Sequence, residues 1–183
     1  MNHGIGHNRG PTLEPGQSWR RISWQKARDQ LLPNLPIEIV RLRVKRAQAL
    51  GLPYRTYAGI RAASGRDVIG FLFSSNALRM LDDEGLPPDR AARLAAMRGA
   101  DRVALVHPPR DPDRVAAPLD AAFAAPGIVH SWSETAAILR AALRARGLPC
   151  DGTVIVGDTD LERDWLPAAR AAGYLGAEQL FPG

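Results

Sequence analysis

The feature that most constrains this chain is an alternation in its second half. Three short runs rich in β-branched residues, RVALVH (102–107), GIVH (127–130) and TVIVG (153–157), are separated by stretches with helical character at about 113–124, 133–146 and 162–173. Parallel strands cannot be joined by a tight hairpin and need a crossover, so this order predicts βα units. The expected result is a small parallel sheet covered by alanine-rich helices. GYLGAEQLF (173–181) would add a last short strand or a closing turn.

The first half reads differently. Residues 1–18 are rich in Gly, Asn and Pro without a hydrophobic period, which predicts a mobile tail. Ser18 can cap a helix that ends before Pro33, and Asn34 can cap one that runs from Leu35–Pro36 to Gly51. Both carry an apolar stripe and are basic over the rest of their circumference. A third helix opens at Pro53-Tyr54 and runs to about Ala63, with Ser64-Gly65 as its turn. Asp67 then caps a fourth helix to about Leu81, apolar nearly all round and therefore a core helix. DDEGLPP (82–88) breaks the pattern with charge, glycine and proline and marks a domain boundary. The expected organisation is a tail (1–18), a basic helical domain (19–83) and a small α/β domain (84–183). The fold class is mixed α/β: an N-terminal helical bundle followed by an α/β unit with a short parallel sheet.

Charge divides the chain at the same place. Residues 1–80 hold 13 Lys and Arg against 4 Asp and Glu, whereas residues 81–183 hold 11 against 15. A basic half meets something anionic, such as nucleic acid, an anionic membrane or an acidic protein partner. Because 22 of the 24 basic residues are arginine, structural ion pairs are the competing use. No apolar run reaches the roughly 18 residues that span a bilayer. The N-terminus lacks the apolar region of a secretory signal, and the single cysteine, Cys150, has no disulfide partner. The expectation is a cytoplasmic protein with an inert thiol.

Two segments carry motif resemblances. YRTYAGIRAASGRDV, within residues 54–79, resembles a DNA-binding helix-turn-helix, with Gly65 in the turn and Val68 plugging the angle between the helices. It implies a DNA-binding regulatory protein. Without requiring a recognition helix, the basic half would contact nucleic acid through Arg20, Arg21, Arg41, Arg43, Lys45, Arg55, Arg61 and Arg66, mostly at phosphates. VIVGDTDLERDWLPAARAAGY (154–174) is similar to the late Gly-Asp motif of haloacid dehalogenase-like phosphatases. That resemblance implies Asp158 and Asp160 holding Mg²⁺ at a strand end, where hard oxygen donors suit a hard cation. The family also needs an Asp-x-Asp at an early strand end, and the only other such pair is Asp111-Pro-Asp113.

His107 and His130 fall at expected strand ends, where a parallel sheet gathers its ligands, and could meet Asp158 there as a general-base group. The phosphate-binding glycine motifs and the serine nucleophile elbow are missing, so no catalytic motif is complete. Three functions follow. The first is a nucleic-acid-binding protein whose α/β half senses a ligand or mediates association, with no cofactor. The second is a metal-dependent hydrolase centred on Asp158 and Asp160. The third is a non-catalytic adaptor for an acidic protein.

Overall fold

The computed structural model describes residues 35–80, 85–115 and 117–182. The chain divides into two compact units, Met1–Val40 and Arg41–Gly183. In the first, only residues 35–40 are described. They enter helix α1 (Ile37–Ala49), and Leu35, Ile37 and Ile39 are exposed. The expected tail and the helix after Ser18 lie outside the described residues, as do Arg20 and Arg21.

The second unit is a mixed α/β fold. After α1 come α2 (Tyr54–Ser64), β1 (Gly70–Ser74), α3 (Pro88–Ala96), β2 (Asp101–Val106) and β3 (Ala121–Ala124). Then follow α4 (Trp132–Ala145), β4 (Thr153–Gly157), α5 (Asp160–Arg163), α6 (Trp165–Ala169), β5 (Gly173–Gly176) and α7 (Ala177–Leu180). The five strands are all parallel, in the order β3-β2-β1-β4-β5. That order is the one in which a doubly wound sheet reverses direction beside its first strand.

Side chains of successive strand residues point to opposite faces, so each strand feeds two cores. Phe71, Phe73, Ala104, Val106, Val154 and Val156 face one side and pack with Leu50, Tyr57, Leu94 and Phe181. Leu72, Val103, Leu105 and Ile155 face the other and meet Leu139 and Leu143 of α4 and Trp165 of α6. Helices therefore cover both faces of the sheet, and β1 is buried along its whole length.

Several expectations need correction. The segment after Asp67 is not a helix: its centre is β1, the middle strand of the sheet. VIGFLFS is apolar on all sides because a central strand is buried on both faces, and such a run has no period that separates it from a buried helix. The helix-turn-helix of residues 54–79 is therefore not formed: α2 ends at Gly65, left-handed with φ of 74°, and leads into a strand. The boundary expected between residues 83 and 84 falls inside one unit, between its central strand and α3. The alanine-rich stretch at 113–124, expected as a helix, ends in the edge strand β3, paired with the open side of β2. GIVH (127–130), expected as a strand, is a turn in which Ile128 and Val129 are each 87% exposed. The helix expected at 162–173 is split at Asp164 into α5 and α6, with Pro167 inside α6. By contrast, TVIVG is strand β4 over its expected length, and α4 matches its expected segment closely.

Candidate functional site

Beyond the carboxyl ends of β1 and β4 the chain leaves the sheet in opposite directions, which opens a crevice. β1 delivers Ser74, Ser75 and Asn76 to this crest, β2 delivers His107, and β4 delivers Asp158 and Thr159. Ser74 and Ser75 are buried, and each hydroxyl is engaged. Ser74 Oγ accepts the Ala77 N–H at 2.9 Å and so holds the turn after β1. Ser75 Oγ accepts the His107 N–H at 3.1 Å and lies 2.9 Å from His107 Nδ1.

Glu162 anchors the other wall and is 1% exposed. Thr159 and Glu162 form a capping box at the start of α5: Thr159 Oγ1 accepts from the Glu162 N–H, and Glu162 Oε2 accepts from the Thr159 N–H. Glu162 Oε2 also accepts the Asp158 N–H at 2.7 Å, and Oε1 accepts from Asn76 Nδ2 at 2.9 Å. A buried carboxylate is thus held by three donors from two strand ends, which offsets its desolvation.

His107 stands between these walls. Its ring stacks on Trp165, with centroids 5.6 Å apart, and Nε2 lies 3.7 Å from Glu162 Oε1. Burial lowers the pKa of the imidazole, and the Glu162 charge offsets this only in part. The neutral form of the ring is thereby favoured. Donation of the Ser75 hydroxyl hydrogen to Nδ1 satisfies both groups and leaves the ring proton on Nε2, facing the carboxylate. At 3.7 Å that pair is too long for a hydrogen bond, so each keeps capacity for a third group.

That capacity opens into a cavity of about 290 Å³. Its polar end is formed by Asn76, His107, Thr159 and Glu162, and its mouth by Ile128, His130, Trp132 and Leu161. Ile128, Trp132 and Leu161 are all exposed, as are the polar lining residues His130, Thr159 and Asp164. The Ser131–Glu134 capping box sets the start of α4 and with it Trp132. His130 does not sit at a strand end, but the turn carrying it returns to the same cavity, where its Nδ1 accepts the Gly127 N–H at 2.7 Å.

The other expected site residues are dispersed. Asp158 follows β4 but its side chain is exposed, and the carboxylate that faces His107 is Glu162. Asp160 projects fully into solvent beside Arg163, at 3.8 Å. The early strand end at β1 offers Ser-Ser-Asn with no carboxylate, and Asp111-Pro-Asp113 lies past β2. Among the described residues no three His, Cys, Asp or Glu side chains converge to hold a metal ion.

The arginines separate into two groups. Arg61 bonds Tyr57 Oη and pairs with Asp67 at 3.6 Å, and Arg66 pairs with Asp151 at 2.6 Å. Arg46, not singled out from sequence, ties α1 to Asp67 and to the carbonyls of Val68 and Gly99. These arginines are each engaged by groups of the same unit. Arg41, Lys45 and Arg55 are exposed, Arg43 is half-buried, and none of the four makes an ion pair among the described residues.

Sequence reasoning placed Ser75 and Asn76 among the few polar residues of a helix, where the structure has the end of β1, and did not single out Glu162 as a site residue. The one signal for Glu162 was the Thr-x-x-Glu spacing after a strand, a capping box that marks a helix start. No protein-family model matches this chain, and neither a curated protein nor a solved structure does.

Proposed function

We propose that the α/β unit is a receptor for a small molecule with a hydroxyl or carboxamide head and an apolar body. The observation that carries this is the 3.7 Å gap between His107 Nε2 and Glu162 Oε1 in a cavity that Ile128, Trp132 and Leu161 also line with exposed apolar side chains. One group within hydrogen-bond reach of both must accept from Nε2–H and donate to the carboxylate. A hydroxyl or a primary amide does both, and a carboxylate does not. The ligand body would lie along Ile128, Trp132 and Leu161, with removal of apolar surface from water as the driving force. The volume is at the small end of ligand pockets, which favours a compact ligand. Trp132 and Trp165 line the cavity, so their fluorescence reports occupancy.

A homologous series of alkanols, alkyl carboxamides and alkyl carboxylates tests this reading. Alcohols and amides should shift tryptophan emission saturably and raise Tm, while carboxylates of equal length do neither. Glu162→Gln should weaken the binding of alcohols by roughly tenfold or more, the worth of a charge-assisted hydrogen bond. An equal response to all three head groups would sink the proposal.

A second reading, nucleic-acid binding by the basic helices, is favoured by Arg41, Lys45 and Arg55, exposed and without ion pairs among the described residues. It needs phosphate contacts and no recognition helix. Affinity of the full chain for labelled duplex should fall steeply with salt. Replacing all three by alanine should reduce the log–log salt slope by about 2.7, the release expected for three phosphates. If the wild type shows no salt-dependent binding, an acidic protein partner becomes the better explanation of the charge.

A further inference from the structure

The cavity that holds His107 and Glu162 is lined by two tryptophans, each the first residue of a helix: Trp132 of α4 and Trp165 of α6. Trp165 stacks with the His107 ring. Trp132 is 56% exposed and meets no other ring and no guanidinium among the described residues. The face of an indole is the negative part of its quadrupole, and it attracts a cation more strongly than the rings of Tyr or Phe do.

The charge of the lining has one sign. Among the described residues it includes the carboxylates of Glu162 and Asp164 and no lysine or arginine. Burial disfavours the imidazolium of His107, and His130 turns its Nδ1 to the Gly127 N–H. Glu162 is held by its three donors, but Asp164 is not held. It stands exposed at the start of α6 without a side-chain cap hydrogen bond, and it makes no ion pair among the described residues. Its neighbour Arg163 is engaged elsewhere: that guanidinium lies over the Tyr174 ring, with Cζ 4.8 Å from the centroid, and Nε is 3.8 Å from Asp160. A cleft lined by one sign of charge focuses its field and concentrates the opposite charge. An open carboxylate and an open indole in one cavity therefore suit a cationic group.

We propose that the ligand of this cavity is a hydroxyalkyl ammonium, with its hydroxyl between His107 Nε2 and Glu162 Oε1 and its ammonium group against Trp132 and Asp164. The inference rests on the receptor reading above and narrows it: the alcohol head is kept, and the body carries a positive charge. A quaternary ammonium fits best. It has no N–H that needs an acceptor, and its methyl groups pack on an indole face while its charge is attracted there.

The test compares choline, which joins a hydroxyethyl group to trimethylammonium, with the alcohol that has an uncharged tert-butyl group in the same place. The two have nearly the same shape and differ in charge. Each is titrated into the full chain at equal ionic strength, and binding is read from the rise in Tm and from calorimetry. Choline should bind roughly tenfold tighter than the neutral alcohol, the worth of a cation–π contact beside an exposed carboxylate. Asp164→Asn and Trp132→Leu should each cut that ratio by roughly threefold or more. The ratio is the readout because leucine at 132 changes the apolar contact for both ligands alike. If the neutral alcohol binds and choline binds no tighter, the ammonium proposal is overturned while the receptor reading stands. If neither binds, the receptor reading fails and this inference fails with it. A ratio that survives intact in both variants also overturns the proposal, since Trp132 and Asp164 would then not be its source.

Discussion

At the scale of the residue, the site depends on a neutral imidazole beside a buried carboxylate. Burial lowers the pKa of His107 below its ordinary 6.5, with Glu162 opposing. The unfolded chain therefore binds more protons than the native one between the two values, and stability rises with pH across that window. His107 contributes fully above about pH 6.5, and its contribution is lost as pH falls toward the native pKa. Titration of the ring by NMR should give a midpoint below 6.5. In Glu162→Gln the midpoint should fall further, because the group that favoured the imidazolium is gone. A midpoint that rises in Glu162→Gln would show that Glu162 does not act on His107 by its charge. Sequence spacing marked His107 as a residue at a strand end, and the structure agrees. Its partners were not legible. Ser75 and Glu162 stand 32 residues before it and 55 after it in the sequence, and only the order of strands in the sheet brings them together.

At the scale of the element, Gly157 is the pivot between β4 and the site. A Cβ there would come within 2.8 Å of Tyr174 Cε2 and Oη, and 2.9 Å from Glu162 Cβ. Tyr174 meets it with the end of a side chain carried by the neighbouring strand, whereas Glu162 meets it with Cβ, held by the capping box. Gly157→Ala should destabilise the protein by about 1–3 kcal/mol, the usual cost of overpacking. It should also displace Glu162, seen as a changed titration midpoint for His107. Unfolding equal to wild type, with an unmoved His107 midpoint, would show that this close approach is slack. β4 was recognisable in sequence because four β-branched residues end at Gly-Asp, with Pro149 a few residues before them. β1 was not, since its phenylalanines and leucine carry no alternation when both faces are buried. The edge strand β3 is AAFA, whose composition favours helix. Pairing with β2 overrode that preference.

At the scale of the whole molecule, the central strand comes from the half of the chain that composition assigns to a separate helical domain. β1 supplies the partners of both β2 and β4, so a cut between residues 83 and 84 removes the middle of the sheet. Fragments 1–83 and 84–183 should each fail to show a cooperative thermal transition, while the intact chain shows one. A cooperative transition in the isolated fragment 84–183 would contradict this. The same architecture explains the arginines. Arg46 and Arg61 converge on Asp67 just before β1, so part of the excess positive charge is engaged beside the central strand. Sequence by itself determined the class of fold, because βα alternation, helix caps and buried β-branched runs are local and admit few arrangements. It also placed α1, α2, α4 and β4 close to their observed bounds. Only the tertiary structure decided that residues 70–74 are the middle strand, that the sheet reverses between β1 and β4, and that Glu162 faces His107. The reason is physical: periodicity reports which faces of a segment are buried, whereas strand order is chosen by the packing of segments far apart in the chain.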